Sequence, residues 1–284
     1  MSTKSPAADE TEPIFASREA AEQWHRGKTH RAEITGPANE IMLDLADLRA
    51  GDRVLDVAAG TGDQTLMAAR RVGPTGYVLA TDLSPSMLNV AAKVARNANL
   101  ANVETRVMDA ENIDLDTDSF DAVICRMGLM LFSTPVKALA GMRGVVKPAG
   151  KVVVVVLSTE EKNPFLGIPL AIVHRLASIT PQTPTRPGAF ALAGPGMLED
   201  AYRRAGFLDI AVHAVSLRRR FRCTAEAVGA VKEFSPFFLQ TLMAKLSDAE
   251  QESAWREIAR QLRQIESPDG LDIPGEMLIG VAAK

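Results

Sequence analysis

Arg53-Val54-Leu55-Asp56-Val57-Ala58-Ala59-Gly60-Thr61-Gly62-Asp63-Gln64 runs from a Val- and Leu-rich strand, through a tight glycine turn, into a helix that opens at Asp63. Missing side chains at Gly60 and Gly62 let a backbone approach a ligand, the design of a nucleotide-binding strand-to-helix turn. Asp82 follows twenty residues after Gly62, at the end of a second strand, Tyr77 to Thr81. A carboxylate at that point accepts hydrogen bonds from both hydroxyls of a ribose, so turn and acid together specify an adenosine-type ligand.

Which adenosine depends on what the turn lacks. A dinucleotide turn of the G-x-G-x-x-G type needs a third glycine, and that position is Thr65. Asp56 and Asp63 flank the turn, and negative charge there is expected to repel phosphates while suiting a cationic, phosphate-free ligand. S-adenosylmethionine (SAM) is favoured on these grounds, with a nicotinamide dinucleotide as the alternative.

Further along lie Ser86-Met87-Leu88, Asp109-Ala110-Glu111, Phe120-Asp121 and Val146-Lys147-Pro148-Ala149-Gly150. With the turn and Asp82, these segments resemble the ordered motifs of class I SAM-dependent methyltransferases. The likeness is to the ubiquinone/menaquinone-biosynthesis C-methyltransferase group (methyltransferase type 11), whose turn similarly carries A-G-G-T-G-D and whose fourth strand leads into a Gly-Leu pair, here Gly128-Leu129. It covers roughly residues 40 to 160. It implies a Rossmann-like, mostly parallel sheet of seven strands in the order 3-2-1-4-5-7-6, with SAM as cofactor and S-adenosylhomocysteine as product. Asp56, Ala58, Gly60, Thr61, Gly62, Asp82, Leu83, Met87, Asp109, Ala110 and Arg126 are the expected cofactor-binding residues, Asp109 and Ala110 at the adenine. Ala58 stands where the class usually has glycine. Arg126 either meets the cofactor carboxylate or points to solvent.

The rest of the chain agrees with an α/β enzyme. Its 284 residues, 46% hydrophobic and 24% charged, suffice for one α/β domain with inserted cap segments. A net charge of −3 argues against a nucleic-acid surface. The run Arg218-Arg219-Arg220-Phe221-Arg222 reads as a solvated sheet edge. Cys125 and Cys223 have no metal-site or disulfide spacing, so a reducing cytoplasm and no metal are expected. The longest apolar run, Val152 to Leu157, is of strand length, and no membrane insertion is expected.

Alternation of apolar runs and turn signals predicts strands at Arg53 to Ala58, Tyr77 to Thr81, Val103 to Val107, Phe120 to Cys125, Lys151 to Leu157, Leu208 to Phe221 and Glu276 to Ala283. Helices are expected at Asp63 to Arg71, Pro85 to Asn97 with Ser84 as N-cap, Val136 to Val146 and Gly196 to Ala205. Residues 1–16 read as a flexible tail and 17–284 as one domain. Residues 17–48 are its N-terminal lid helices, and 158–194 and 224–274 are cap insertions; the last could instead be extra core or a dimer surface.

A sulfonium methyl is already electrophilic, so the protein's work is to align a nucleophile in a dry site. A base is needed only for a hydroxyl, an ammonium or an acidic carbon, and His25 or His30 in the lid segment could serve. Trp24, Met127, Met130 and Phe132 are candidates for an apolar acceptor pocket. The acceptor is expected to be a small, mostly apolar metabolite, since Cys125-Arg126-Met127-Gly128 lacks the Asn/Asp-Pro-Pro-aromatic signature that resembles nucleic-acid and glutamine amino-methyltransferases. A SAM-binding protein that transfers no methyl group is a third possibility.

Overall fold

The computed structural model describes residues 17–179, 185–234 and 237–284, without the side chains of His30, Phe234, Phe237 and Phe238. The expected tail, 1–16, lies outside them. Seven strands form one sheet in the order β3-β2-β1-β4-β5-β7-β6. They are β1 (Arg53–Val57), β2 (Tyr77–Asp82), β3 (Val103–Val107), β4 (Phe120–Arg126), β5 (Val146–Leu157), β6 (Ile210–Phe221) and β7 (Leu271–Ala283). The first five are mutually parallel, and β7 is antiparallel to both β5 and β6.

The central strands are apolar on both faces because both faces are covered: Val152 through Val156 are fully buried. The helices are α1 (Arg18–Arg26), α2 (Lys28–Leu45), α3 (Asp63–Val72), α4 (Pro85–Asn97), α5 (Pro135–Val145), α6 (Pro164–Leu176), α7 (Met197–Arg204), α8 (Thr224–Phe234), α9 (Phe237–Met243) and α10 (Asp248–Arg263). The chain moves outward one way through β1, β2 and β3 and the other way through β4 and β5. Right-handed crossovers therefore place α3 and α4 on one face and α5 on the other. α2 packs beside α3, and α7 beside α5. Tyr202 of α7 ties β5 to β7 by donating toward the carbonyls of Val152 at 3.2 Å and Gly280 at 2.9 Å.

Two strands begin earlier than local pattern suggests. β5 starts at Val146 because Val146 pairs with Phe120 before the register shifts to Ala122 with Lys151. The Pro-Ala-Gly segment between is absorbed as an irregularity, with Ala149 at φ 64°. β7 starts at Leu271, not Glu276, because β6 runs on to Phe221 and pairs with it to the end, braced by Arg218 on Asp272 through two bonds of 2.8 Å. The inserted helices thus end before 271. α8 and α10 pack together and on α6, which lies on β7, and α10 opens with a reciprocal Ser247 and Glu250 capping box.

Candidate active site

Strand order reverses between β1 and β4, and in open α/β sheets ligands lie beyond the carboxyl ends of the strands at that crevice. Both strands leave it through strained residues: Ala58 after β1 at φ 55° and Met127 after β4 at φ 59°. The left-handed region costs a residue with a Cβ about 1–2 kcal/mol, so the class preference for glycine at the Ala58 position has a backbone cause. Gly128 accommodates the departure, since a Cβ there would lie 2.6 Å from the Ala58 Cβ. Gly128→Ala is expected to destabilise the fold by about 1–3 kcal/mol. In an Ala58→Gly background the loss should shrink by about 1 kcal/mol or more, a coupling that urea denaturation of the double-mutant cycle reads directly. Additive losses would remove this account.

The turn is held from below by Asp56. This carboxylate, expected among the cofactor-binding residues, is sealed from the crevice: Thr65 donates to one oxygen at 2.5 Å and Gln64 to the other at 3.0 Å. It fixes the first turn of α3, and Thr65 is the position where a dinucleotide turn has its third glycine. Burial pushes the Asp56 carboxyl up to about 7. Because the folded value exceeds the unfolded one, stability is lost as pH rises from about 4 to about 7, by roughly 1.4 kcal/mol per unit. Asp56→Asn removes that dependence while keeping an acceptor for Gln64. Urea midpoints at pH 5 and pH 7 should therefore move in favour of the variant at the higher pH, and parallel shifts would show an ionised Asp56.

Gly62, left-handed at φ 86°, would drive a Cβ to 3.0 Å from that of Ala91 in α4, so its missing side chain serves helix packing. Gly60 donates its N–H to Asp82 Oδ2 at 2.9 Å, and Ser84 N–H donates to Oδ1 at 2.9 Å. Asp82 is thus aimed by the backbone N–H groups of Gly60 and Ser84, with Leu83 N–H also directed at it. Partial burial raises its pKa. Leu83 beside it is 56% exposed, an apolar surface suited to a flat base. Met108 N–H donates to the Asp82 carbonyl at 3.0 Å, which brings Asp109 and Ala110 alongside. Asp109 already accepts from Glu111 N–H and from the Asn112 amide, so only its remaining lone pairs are free to meet an adenine. Met87 is buried in α4, and its N–H donates to the capping Ser84 Oγ at 3.2 Å.

Arg126 turns inward, which removes the solvent alternative. It donates to Thr35 Oγ1 at 3.2 Å and lies 3.6 Å from Asp63, while its Nε is buried without a partner. Asp63 also pairs with Arg31 at 2.8 Å. Arg31 and Arg126 together offset the charge of Asp63, while Asp82 remains an acid beside the turn. Arg31 comes from α2 and Arg126 from β4, cations that local sequence around the turn does not show.

α1 lies over this crevice. The Trp24 indole nitrogen is 3.8 Å from where a Gly60 Cβ would stand, and Arg31 stacks over the Trp24 ring at 4.3 Å while donating to the Trp24 carbonyl. His25 is half-buried, its Nδ1 has no partner, and burial lowers its pKa. The His30 side chain lies outside the described residues. Met130 is buried against the core, whereas Met127 and Phe132 are partly open. A cleft of about 520 Å³ is lined by Met130, Phe132, Thr134, Arg186, Met197 and Arg204 among others, and belongs to the α5 and α7 side. Trp24 and Phe132 are thus not in one pocket lining there. Arg31 and Thr35 meet Asp63, Trp24 and Arg126 at the crevice, contacts that local sequence around the turn does not show.

Residues 54–150 match the family model described as a methyltransferase domain. A ubiquinone/menaquinone biosynthesis C-methyltransferase of Teredinibacter turnerae is 37% identical over 125 residues, 44% of this chain and 50% of that protein. Its Ralstonia pickettii counterpart is 43% identical over 113 residues, 40% of this chain and 46% of that one. The chain spans about half the length of these curated relatives. A putative methyltransferase of Bacillus halodurans shares the fold, with a TM-score of 0.60 at 18% identity over 87% of this chain and 98% of that one. Residues 54–150, about a third of the chain, thus match a methyltransferase domain, and the chain resembles ubiquinone/menaquinone C-methyltransferases in sequence over that region and a putative methyltransferase in fold.

Proposed function

We propose that the protein is a SAM-dependent methyltransferase acting on oxygen, carbon or nitrogen of a small, mostly apolar metabolite. The observation that carries this is the aimed carboxylate of Asp82, held by Gly60 and Ser84 beside an exposed Leu83. Asp82 takes the ribose hydroxyls, Leu83, Asp109 and Ala110 border the adenine, and the Gly60 to Gly62 backbone lies against the amino-acid part. The unpartnered Nε of Arg126 fits a cofactor carboxylate.

When bound, the sulfonium supplies an activated methyl group. The acceptor forms a bond to that carbon as the carbon–sulfur bond breaks, so the chain needs to provide alignment and exclude water. Alignment alone is worth about 7–11 kcal/mol. In this reading α1 shields the crevice and α6 with α8 to α10 caps the acceptor side. His25, kept neutral by burial and with Nδ1 free, takes the acceptor's proton where one must leave. Among the described residues no helix is long and apolar enough to cross a membrane. Cys125 and Cys223 are both unpaired, which fits a cytoplasmic setting.

A nicotinamide dinucleotide is the weaker reading, since Thr65 occupies the third glycine position and is consumed by Asp56. Calorimetric titration with SAM and with NAD separates the two: SAM alone should bind. Methyl release over a metabolite extract then distinguishes transfer from cofactor binding without chemistry, and no release from any fraction would favour the latter.

A further inference from the structure

The arginine run on β6 is not uniformly a solvated edge. Arg218 is held by Asp272, Arg222 lies 3.3 Å from Glu226, and Arg220 is exposed. Arg219 points the other way, on the strand face shared with buried Val215, Leu217 and Phe221. Its Cζ sits 4.7 Å over the Phe165 ring, and Phe165 stacks on Phe221 at 5.6 Å. Its Nε is buried without a hydrogen-bond partner, and among the described residues no carboxylate pairs with it.

Its place in the fold matters. β6 runs parallel to β5, and Arg219 lies four residues beyond Val215, which is level, through Met277, with Leu157 at the end of β5. It therefore stands past the carboxyl ends of the strands, at the same end of the sheet as the crevice and on its β6 edge. A Cβ on Gly275 would fall 3.4 Å from Arg219 Nη1 and 3.5 Å from Asn163 Oδ1. Asn163 is locked to the exit of β5 by donating to the carbonyls of Ser158, Thr159 and Glu276. The guanidinium is thus seated between the β5 exit, α6 and the extended β6 to β7 hairpin. Burial pushes it down to about 10, as for a cation without a counter-ion. A half-buried, unpaired guanidinium stacked on an aromatic ring lowers stability unless something else neutralises it.

We propose that the methyl acceptor carries a carboxylate, and that Arg219 is the residue that binds it, with Phe165 and Leu217 as the apolar wall. This rests on the methyltransferase reading and narrows its acceptor to apolar acids. The planar fork of arginine matches a carboxylate in two bonds, and the Phe165 ring fixes its plane.

The test uses full-length protein saturated with S-adenosylhomocysteine, titrated calorimetrically with benzoate, cinnamate and octanoate and with their primary amides at matched ionic strength. At least one acid should bind about ten-fold or more tightly than its amide. Arg219→Gln should abolish that preference while leaving S-adenosylhomocysteine affinity unchanged, and Arg219→Lys should retain part of it. Arg219→Met should raise Tm, because it removes an unpaired buried cation. Acids and amides binding alike, a preference that survives in Arg219→Gln, or a lowered Tm in Arg219→Met would each overturn the assignment. Failure of the wild-type protein to bind S-adenosylhomocysteine at all would overturn the methyltransferase reading itself, and the carboxylate assignment with it.

Discussion

Asp82→Ala is expected to lower SAM affinity by two to four orders of magnitude. Its two oxygens would each lose a charge-assisted hydrogen bond to a ribose hydroxyl, about 1.5–3 kcal/mol apiece, or roughly 3–6 kcal/mol together. The substitution also orphans the Gly60 and Ser84 N–H groups that now donate to this carboxylate at 2.9 Å. Asp82→Asn is the necessary companion. It keeps an acceptor for one backbone donor and turns an N–H toward the other, so it should fold yet still bind SAM weakly. Calorimetry on both variants, with circular dichroism to establish folding, gives the result. Unchanged affinity in either folded variant would remove Asp82 from the ribose site.

Removing residues 1–26 is expected to reduce turnover by two orders of magnitude or more, with a far smaller change in SAM affinity. The cut takes away α1 with Trp24 and His25 and stops at Gly27. A cut at residue 35 would instead sever α2, whose Ile34, Ala38, Met42 and Leu43 belong to the main core and whose Arg31 and Thr35 hold Asp63 and Arg126. Contacts made over the reacting methyl in the closed state act on orientation and water exclusion, and they contribute to the transition state more than to cofactor binding. Single-turnover transfer at the wild-type rate by the folded, truncated protein would show that α1 is no lid. His25→Ala separates the two roles of that helix: loss confined to acceptors that must shed a proton marks the base, and loss with every acceptor marks the cover.

What could be read from local sequence follows the range of the forces involved. The Val-rich runs of β1, β4 and β5, the glycine turn, and the Ser84 cap with Pro85 at the first helical position depend on neighbours a few residues away, and the structure has them where the pattern places them. The early starts of β5 and β7 do not, because each is set by a partner strand that runs on past the local signal. The site divides the same way. Asp82 and Gly60 belong to one strand-helix-strand unit, β1 to β2, and local pattern is enough to bring them side by side. The charge at the turn was not legible, because Asp63 is neutralised by Arg31, 32 residues upstream, and by Arg126 from β4. Asp56 was legible as an acid beside the turn, but its burial under Thr65 and Gln64 is a property of packing. Arg219 looked like its exposed neighbours because strand alternation assigns it a face without saying what covers that face.

β7 follows every other described strand along the chain, yet it lies between β5 and β6 in the sheet. Five parallel strands can assemble as they emerge, but the edge of β5 from Val152 to Leu157 stays unpaired until residues 271–283 arrive. Its intended partner is separated from β6 by three helices, so the closing step brings together segments far apart in the chain. Through that interval the most apolar strand of the molecule is an open edge, able to pair with the same strand of a second chain. The sheet is therefore closed last at its penultimate strand, between β5 and the β6 edge, and yield on refolding is expected to depend on how quickly that gap is filled.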